Sequence, residues 1–568
     1  MPHRALCTVA SIALGLILLL IPAGTMTASA DGIESPASES EMRTDAFSVG
    51  QLAADARRVA KGGRLTVSGL QIDAGSPPAV LDLERFQVFT DNARIVVHGE
   101  EGEEVLPTPG NAYFRGQVDG HPDSLALLSV LPSGRVRGLV QRDGQLYVLA
   151  PAKSVASTGG GAGISASVTD ESSGPVPLEA VAAANLEEGQ EGFTCANTDL
   201  GLPTPADFTS SAAGAGTGSP VADFAGVGPE AMVTSHTARM AIETDWEYYQ
   251  IFGNPTAATD YIGDLIAFSS TIYDAELETD LQVSHLSLWS TSSDPWGQFG
   301  TACGLYEFGQ FWNYNRSGVD RTLAHFVSGK NNGGGVAWVG VLCQGAFQVN
   351  IGTSCPGLSP AIDYYGGDYG YTGTIDGNFD PDNPFPVWDI TAVSHEIGHN
   401  FNSPHTHCYN GVGGSSSPVD ECYGSQNGCY SGSPSLPSGC PGGGLGCGTI
   451  MSYCHGLSPG STNIGLTFGE GHPYGTLPQR VPDRMRAHVE SVASFNSACL
   501  ARINACTEDL ALTSGTDNGT KSYQVCGTIT AGASYKVGSS GDVTMTAGKV
   551  VLTNGFRVDS GGSLRIVN

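Results

Sequence analysis

Basic residues are scarce in this chain of 568 residues: 26 Lys and Arg stand against 56 Asp and Glu, for a net charge of −30. A phosphate backbone is bound through Lys and Arg, so this balance argues against a nucleic-acid partner. Charge of either sign is low, at 14%, where about a quarter is usual. Long apolar runs are nearly absent. Ile12–Ile21 is the longest, and its ten residues would cross about half of a bilayer core. No other run approaches spanning length, so no stable membrane anchor is expected. Nor does a cysteine mark a lipidation site after that run.

What flanks the run gives it a meaning. His3 and Arg4 precede it, and Pro22 and the small residues Ala23–Ala30 follow. Ala28-Ser29-Ala30 offers a cleavage site. These are the three parts of a secretory signal peptide, residues 1–30, and they predict a secreted, extracellular protein starting near Asp31. Fourteen cysteines ask for an oxidising compartment, a metal, or both. Glycine, at 78 of 568 residues, is about twice its usual share. Apolar residues still reach 40%, enough for cores, and the length calls for several domains.

Composition divides the chain. Residues 40–152 alternate short apolar runs with turn signals, as in Leu65-Thr66-Val67 and Ile95-Val96-Val97, and read as one β-rich unit. Glu100, Glu101, Glu103 and Glu104 read as a solvated loop. From about 153 to 232 Ala, Gly, Ser and Pro dominate, which is linker chemistry, around one isolated thiol, Cys195. Residues 233–500 mix both periods. Helices are predicted at Tyr261–Leu277, Gly318–Val327 and Pro482–Ser494, and a strand at Gly335–Cys343. An α/β or α+β layer fold follows. Beyond Cys506, the run Tyr535–Met545 recurs as Phe556–Ile566 at an offset of 21 residues. That recurrence predicts short stacked strands, a small β-solenoid-like domain over 507–568.

The chemistry sits in Trp388–His407, WDITAVSHEIGHNFNSPHTH. His395 and His399, four apart, share one helical face one turn apart and can chelate one ion. Glu396 lies beside them, able to touch a metal-bound water without ligating the metal. His405 can return to the ion if Asn400–Pro404 turns the chain, with Asn402 as the left-handed residue and Pro404 stopping the helix. Three histidines leave one tetrahedral position open, the pattern of a catalytic zinc. Zinc there would acidify water and polarise a carbonyl, and Glu396 would act as general base. His407, two residues past His405, is a poor fourth ligand and reads as a neighbour of the site or a surface residue.

His395-Glu396-x-x-His399-x-x-Asn402-x-x-His405 resembles the metzincin metalloprotease signature, with Asn402 where that signature carries Gly. The resemblance implies an α/β (α+β) catalytic domain with a twisted mixed sheet over the active-site helix. Gly448-Thr-Ile-Met451-Ser-Tyr453 is similar to the family's Met-turn, which implies Met451 as an apolar floor under the zinc ligands. Tyr453 matches the position of a transition-state-stabilising tyrosine in two branches, or is a packing residue. Gly333–Gly340 is similar to the upper edge strand of the adamalysin/reprolysin branch. Val336, Ala337 and Trp338 would then bind an extended peptide through their backbone, or serve as sheet core. Tyr113–Ser124 with Arg137-Gly138-Leu139 resembles the reprolysin propeptide, which implies a β-rich prodomain. Cys195 resembles a cysteine switch, a thiolate occupying the fourth zinc position, or is half of a disulfide.

The implied organisation is a signal peptide (1–30), a propeptide (31–200), a linker (201–232), a catalytic domain (233–500) and a C-terminal repeat domain (507–568). The implied protein is a secreted zinc endopeptidase made as a zymogen, with peptides or proteins as substrates and its own propeptide as inhibitor. No dibasic site lies in 200–238, which favours self-cleavage or another protease for activation. Asp376, Asn378, Asp380 and Asp382 alternate as in calcium loops, but Pro381 and Val387 break the pattern, so a polar loop competes with calcium there. Beyond Cys7 and Cys195, twelve cysteines could form up to six disulfides. Two other readings stand: a non-catalytic zinc-containing adhesin or binding protein, and a zinc amidase acting on cell-wall peptides.

Overall fold

Strand pairing divides the N-terminal region between two sheets. The computed structural model describes residues 39–72, 76–151, 176–182, 195, 235–377, 385–441, 445–500, 502, 510–524, 528–546 and 549–567. The proposed signal peptide and linker lie outside them. The first elements are β1 (Glu39–Asp45), α1 (Val49–Arg58), β2 (Val59–Leu70), β3 (Ala79–Phe86), β4 (Phe89–Gly99) and β5 (Gly102–Leu106). Then come β6 (Ala112–Val118), β7 (His121–Val130), β8 (Val136–Arg142), β9 (Gln145–Pro151) and β10 (Leu178–Ala182). Leu65 and Val67 are buried on β2 while Arg64 and Ser68 are exposed, the alternation of a one-sided strand. Eight strands form a sheet in the order β1-β2-β3-β6-β7-β8-β9-β10, and its central β6, β7 and β9 are buried over consecutive residues.

The strand β4 pairs elsewhere. Ile95, Val96 and Val97 are all buried, so both faces are covered, as in a strand inside a parallel sheet. It leaves the first sheet, and the single β-rich unit expected over 40–152 is corrected accordingly. Together with β5 it completes a sheet built from the next region: β11 (His236–Thr244), α2 (Trp246–Phe252), α3 (Pro255–Leu277), β12 (Thr279–Trp289), α4 (Thr301–Asn315), β13 (Leu323–Val327), β14 (Gly335–Ala337), β15 (Phe347–Val349), β16 (Asp363–Gly366), β17 (Tyr369–Thr372), α5 (Phe385–Asn400) and α6 (Arg480–Phe495). The order is β14-β17-β13-β11-β12-β4-β5, with β14 and β5 antiparallel to their neighbours and the rest parallel. Mixed sheet and helices agree with the α/β expectation. The acidic Glu103 and Glu104 are exposed, but on β5 and not in a loop.

Helix α3 starts six residues before the predicted Tyr261, because Asn254 caps it by accepting from the Ala257 N–H at 2.8 Å, with Pro255 in first position. Ile262, Leu265, Ile266 and Ile272 are buried on it. The helix expected at Gly318–Val327 is instead a turn followed by β13. All five residues of β13 are buried between two strand neighbours, and an apolar run without period does not distinguish strand from helix. The strand expected over Gly335–Cys343 ends at Ala337; Gly340, with φ 68°, turns the chain away. In the C-terminal region, β18 (Leu510–Gln524) and β19 (Thr528–Thr546) pair in parallel, as β19 does with β20 (Lys549–Leu552), β21 (Arg557–Val558) and β22 (Ser563–Val567). Thr528 faces Lys549 and Asp542 faces Ser563, steps of 21 residues.

Among the described residues, five disulfides link Cys303 to Cys355, Cys343 to Cys499, Cys408 to Cys429, Cys422 to Cys454 and Cys440 to Cys447. Cys506 and Cys526 lie outside the described residues. Cys195 takes no part in these pairs.

Candidate metal centre

Helix α5 carries His395, Glu396 and His399, and three neighbours hold it in place. Tyr273 donates its hydroxyl to the Ser394 carbonyl at 2.8 Å, and Ser394 reaches Ser269 at 2.9 Å, both from α3. At the other end the Asn400 carboxamide donates to Trp338 O at 2.9 Å and Tyr369 O at 3.0 Å. The helix then stops in a left-handed turn. Ser403 N–H bonds Gly398 O at 3.1 Å and Asn402 N–H bonds His399 O at 2.8 Å, the paired bonds of a Schellman end. Asn402 sits at φ 76°, where Asn is the common substitute for Gly. Its carboxamide oxygen accepts from Arg484 at 2.9 Å, while its carbonyl accepts from the same guanidinium at 2.6 Å. Arg484 on α6 thus holds the turn that sends His405 back toward the helix.

The three imidazoles converge, with ring centroids 4.8 to 5.2 Å apart. Each spends its Nδ1 on an oxygen: His395 on Ile450 O at 2.7 Å, His399 on Ser403 O at 2.7 Å, and His405 on the Gln426 side chain at 2.9 Å. A ring whose Nδ1–H is so engaged offers Nε2 as a metal ligand. The Cys195 thiol enters the same space, 3.5 Å from His399 Nε2 and 3.5 Å from Glu396 Oε2. One ligand atom from each of Cys195, His395, His399 and His405 lies within 4.8 Å of the others. Glu396 Oε1 and His405 Nε2 are buried without a hydrogen-bond partner among the described residues. Such orphaned atoms, in a sulfur and nitrogen donor set of tetrahedral size, fit zinc.

Met451 is fully buried below the helix, and Gly398 makes room for it: a Cβ there would lie 2.5 Å from the Met451 sulfur. Gly335 likewise yields space to the Glu396 side chain. The Tyr453 ring lies 4.5 Å from that of His405, and its hydroxyl donates to the Cys195 carbonyl at 2.8 Å. Val336 and Ala337 lie on β14, at the sheet edge, with buried side chains. Trp338 falls beyond the strand, a correction to the three-residue edge, though its N–H still bonds Tyr369 O at 3.2 Å. His407 is buried, not a surface residue, and shares the Gln426 oxygen with His405, at 2.7 Å. Of the calcium candidates, Asn378, Asp380 and Asp382 lie outside the described residues. Asp376 is exposed and uses its backbone N–H on Asp389, which lends calcium no support.

Gln426 and Arg484 carry no signal in the sequence, since both act across long separations. Two disulfides do mark the Gln426 loop. Cys408 follows His407 and ties to Cys429, and Cys454 follows Tyr453 and ties to Cys422. Burial drives the electrostatics. It holds His395 and His399 well below the usual histidine range and His405 down to about 3, while it pushes Glu396 well above the usual carboxylate range.

Residues 234–464 match a reprolysin model described as Metallo-peptidase family M12. No curated protein matches the chain. Among solved structures, metalloproteinase-II from Bacteroides fragilis is similar at 12% identity, with 65% of this chain and 90% of that chain covered and a TM-score of 0.28. A chaperone–substrate complex is similar at 12% identity, with 46% and 36% covered and a TM-score of 0.26. Scores this low carry no statement about the fold.

The turn at Asn402 yields a stability order. Asn402→Gly removes one charge-assisted hydrogen bond, at a cost of about 1.5–3 kcal/mol, and Asn402→Ala adds left-handed strain of about 1–2 kcal/mol. Chemical denaturation should therefore rank wild type above Gly and Gly above Ala; an Ala variant as stable as Gly would refute the strain argument. The depressed histidines give a second outcome. Three exposed imidazoles with ordinary pKa would lose about 10³ in zinc affinity between pH 7.5 and 5.5. Here Cys195→Ala protein, titrated against a chromophoric chelator, should lose no more than about tenfold over that interval, because the buried rings stay neutral below pH 6.5.

Proposed function

We propose, from the match of residues 234–464 to the reprolysin model of Metallo-peptidase family M12, that the chain is an exported zinc endopeptidase made as a zymogen. The observation that carries this reading is the set of three Nε2 atoms beside an orphaned, buried glutamate oxygen. Residues 1–30 are the export signal, 31–200 the propeptide, 201–232 the linker, 233–500 the catalytic domain and 507–568 a solenoid-like repeat domain. His395, His399 and His405 would hold zinc. When bound, zinc supplies a Lewis acid that polarises the scissile carbonyl and acidifies water.

The protein's own groups do the rest. Glu396 is the general base: it takes the proton of the attacking water and returns it to the leaving amine. Its desolvated surroundings raise its affinity for that proton. The edge strand β14 accepts an extended peptide as one more strand through Val336 and Ala337, with Trp338 continuing that line. The Tyr453 hydroxyl, which meets the Cys195 carbonyl, is placed to meet a substrate carbonyl oxygen once Cys195 has left, and there it steadies the oxyanion. Cys195 keeps the uncut chain inactive by filling the fourth ligand position.

One observation favours a second reading. Three histidines closed by a cysteine are also the set of a structural zinc site, as a zinc-containing binding protein would have. Hydrolysis separates the two. Glu396→Gln should retain zinc and lose about 10²–10⁴ in kcat/KM on a casein or peptide substrate, and Cys195→Ala should be active without processing. Stoichiometric zinc with no cleavage by wild type or Cys195→Ala, even after proteolysis of the linker, would establish the structural reading instead.

A further inference from the structure

We propose that cutting the segment after Cys195 does not release the N-terminal region, so that the processed protein is a two-chain complex whose catalytic sheet keeps a strand pair from the propeptide. The proposal rests on the zymogen reading for its regulatory meaning, but the geometry behind it is independent of activity.

Three features of the interface support it. The first is the sheet. β4 pairs in parallel with β12 from Val283 opposite Phe89 to Trp289 opposite His98, and the last pair stacks its rings at 4.3 Å. β4–β5 is therefore the margin of the seven-stranded sheet, at the edge opposite β14. Without it β12 would become a long, apolar, unpaired edge, the kind that aggregates. The second is the core. Phe89, Ile95 and Val97 pack in one cluster with Leu265, Ile266 and Leu286. Helix α3 is shaped for this contact, since at Gly263 a Cβ would lie 2.2 Å from the Tyr113 hydroxyl.

The third is charge. Asp264 on α3 is fully buried and is held by Arg137 and Ser129 of the N-terminal sheet. Arg115, buried itself, bridges Asp274 at 3.3 Å and Asp280. In a chain with 26 basic residues, two arginines are committed to these carboxylates. Residues Glu39–Asn568 accordingly form one compact unit.

The strand pairing and ion pairs of the seam involve β4, β7, β8 and Arg115 and not Cys195, so withdrawal of the thiol breaks none of them. Opening of the site and departure of the propeptide become separate events, and the second is not needed for the first. A peptide reaches β14, at the far edge, while β4–β5 stays in place.

The test uses the full chain with Glu396→Gln, cut in 201–232 by an added protease and run on native size exclusion at about 1 µM. The fragment containing β4 and β5 should co-elute with the fragment containing α5 and separate from it only in denaturant. Separation in native buffer would overturn the proposal. Cut wild type supplies the second arm: activity in fractions that still hold the N-terminal fragment supports it, and activity confined to fractions that have lost the fragment overturns it. Absence of activity in every fraction would count against the protease reading alone, with the elution result still deciding this one.

Discussion

Three hydrogen bonds on the outer sides of three imidazoles decide what this protein can do. His395, His399 and His405 each give Nδ1 to an oxygen supplied by another part of the chain: the Met-turn, the helix-ending turn and the Gln426 loop. Those bonds select the tautomer and turn Nε2 inward. Burial then keeps the rings neutral, the form a metal needs. Each of the three acceptors has its own support. Arg484 holds the turn that presents Ser403 O, and Gly398 lets Met451 sit close enough to present Ile450 O. The disulfides Cys408–Cys429 and Cys422–Cys454 hold the loop that presents Gln426.

Local spacing made part of this legible. Two histidines four apart fall on one helical face wherever a helix forms, and an Asn before Pro announces a left-handed stop. The shared face of His395 and His399, the return of His405 and the left-handed Asn402 follow from such short-range rules, whereas the place of Met451 beneath them was implied only by the metzincin resemblance. Cys195 was legible as a thiol of interest, though not its distance from His399, because nothing in a linker composition tells where it lies.

What stayed hidden is non-local. Gln426 sits in a loop rich in Gly, Ser and Cys that has no period, and only tertiary closure brings it to His405 and His407. The membership of β4 in the catalytic sheet is the larger case. The buried run Ile95-Val96-Val97 resembles those of β6, β7 and β9 in the other sheet, and the partner that sets it apart, β12, lies nearly two hundred residues on. The Gly318–Val327 segment failed for the same reason: a central strand buried on every side reads the same as a buried helix.

The proposed zymogen rests on one ligand set, Cys195 with His395, His399 and His405, whose ligand atoms lie within 4.8 Å of one another. Zinc K-edge absorption on the uncut, zinc-loaded chain reads that set directly. One sulfur scatterer at about 2.3 Å with three nitrogen scatterers at about 2.0 Å is expected, and loss of the sulfur shell in Cys195→Ala. A shell of nitrogen and oxygen alone in the uncut wild-type chain would contradict it.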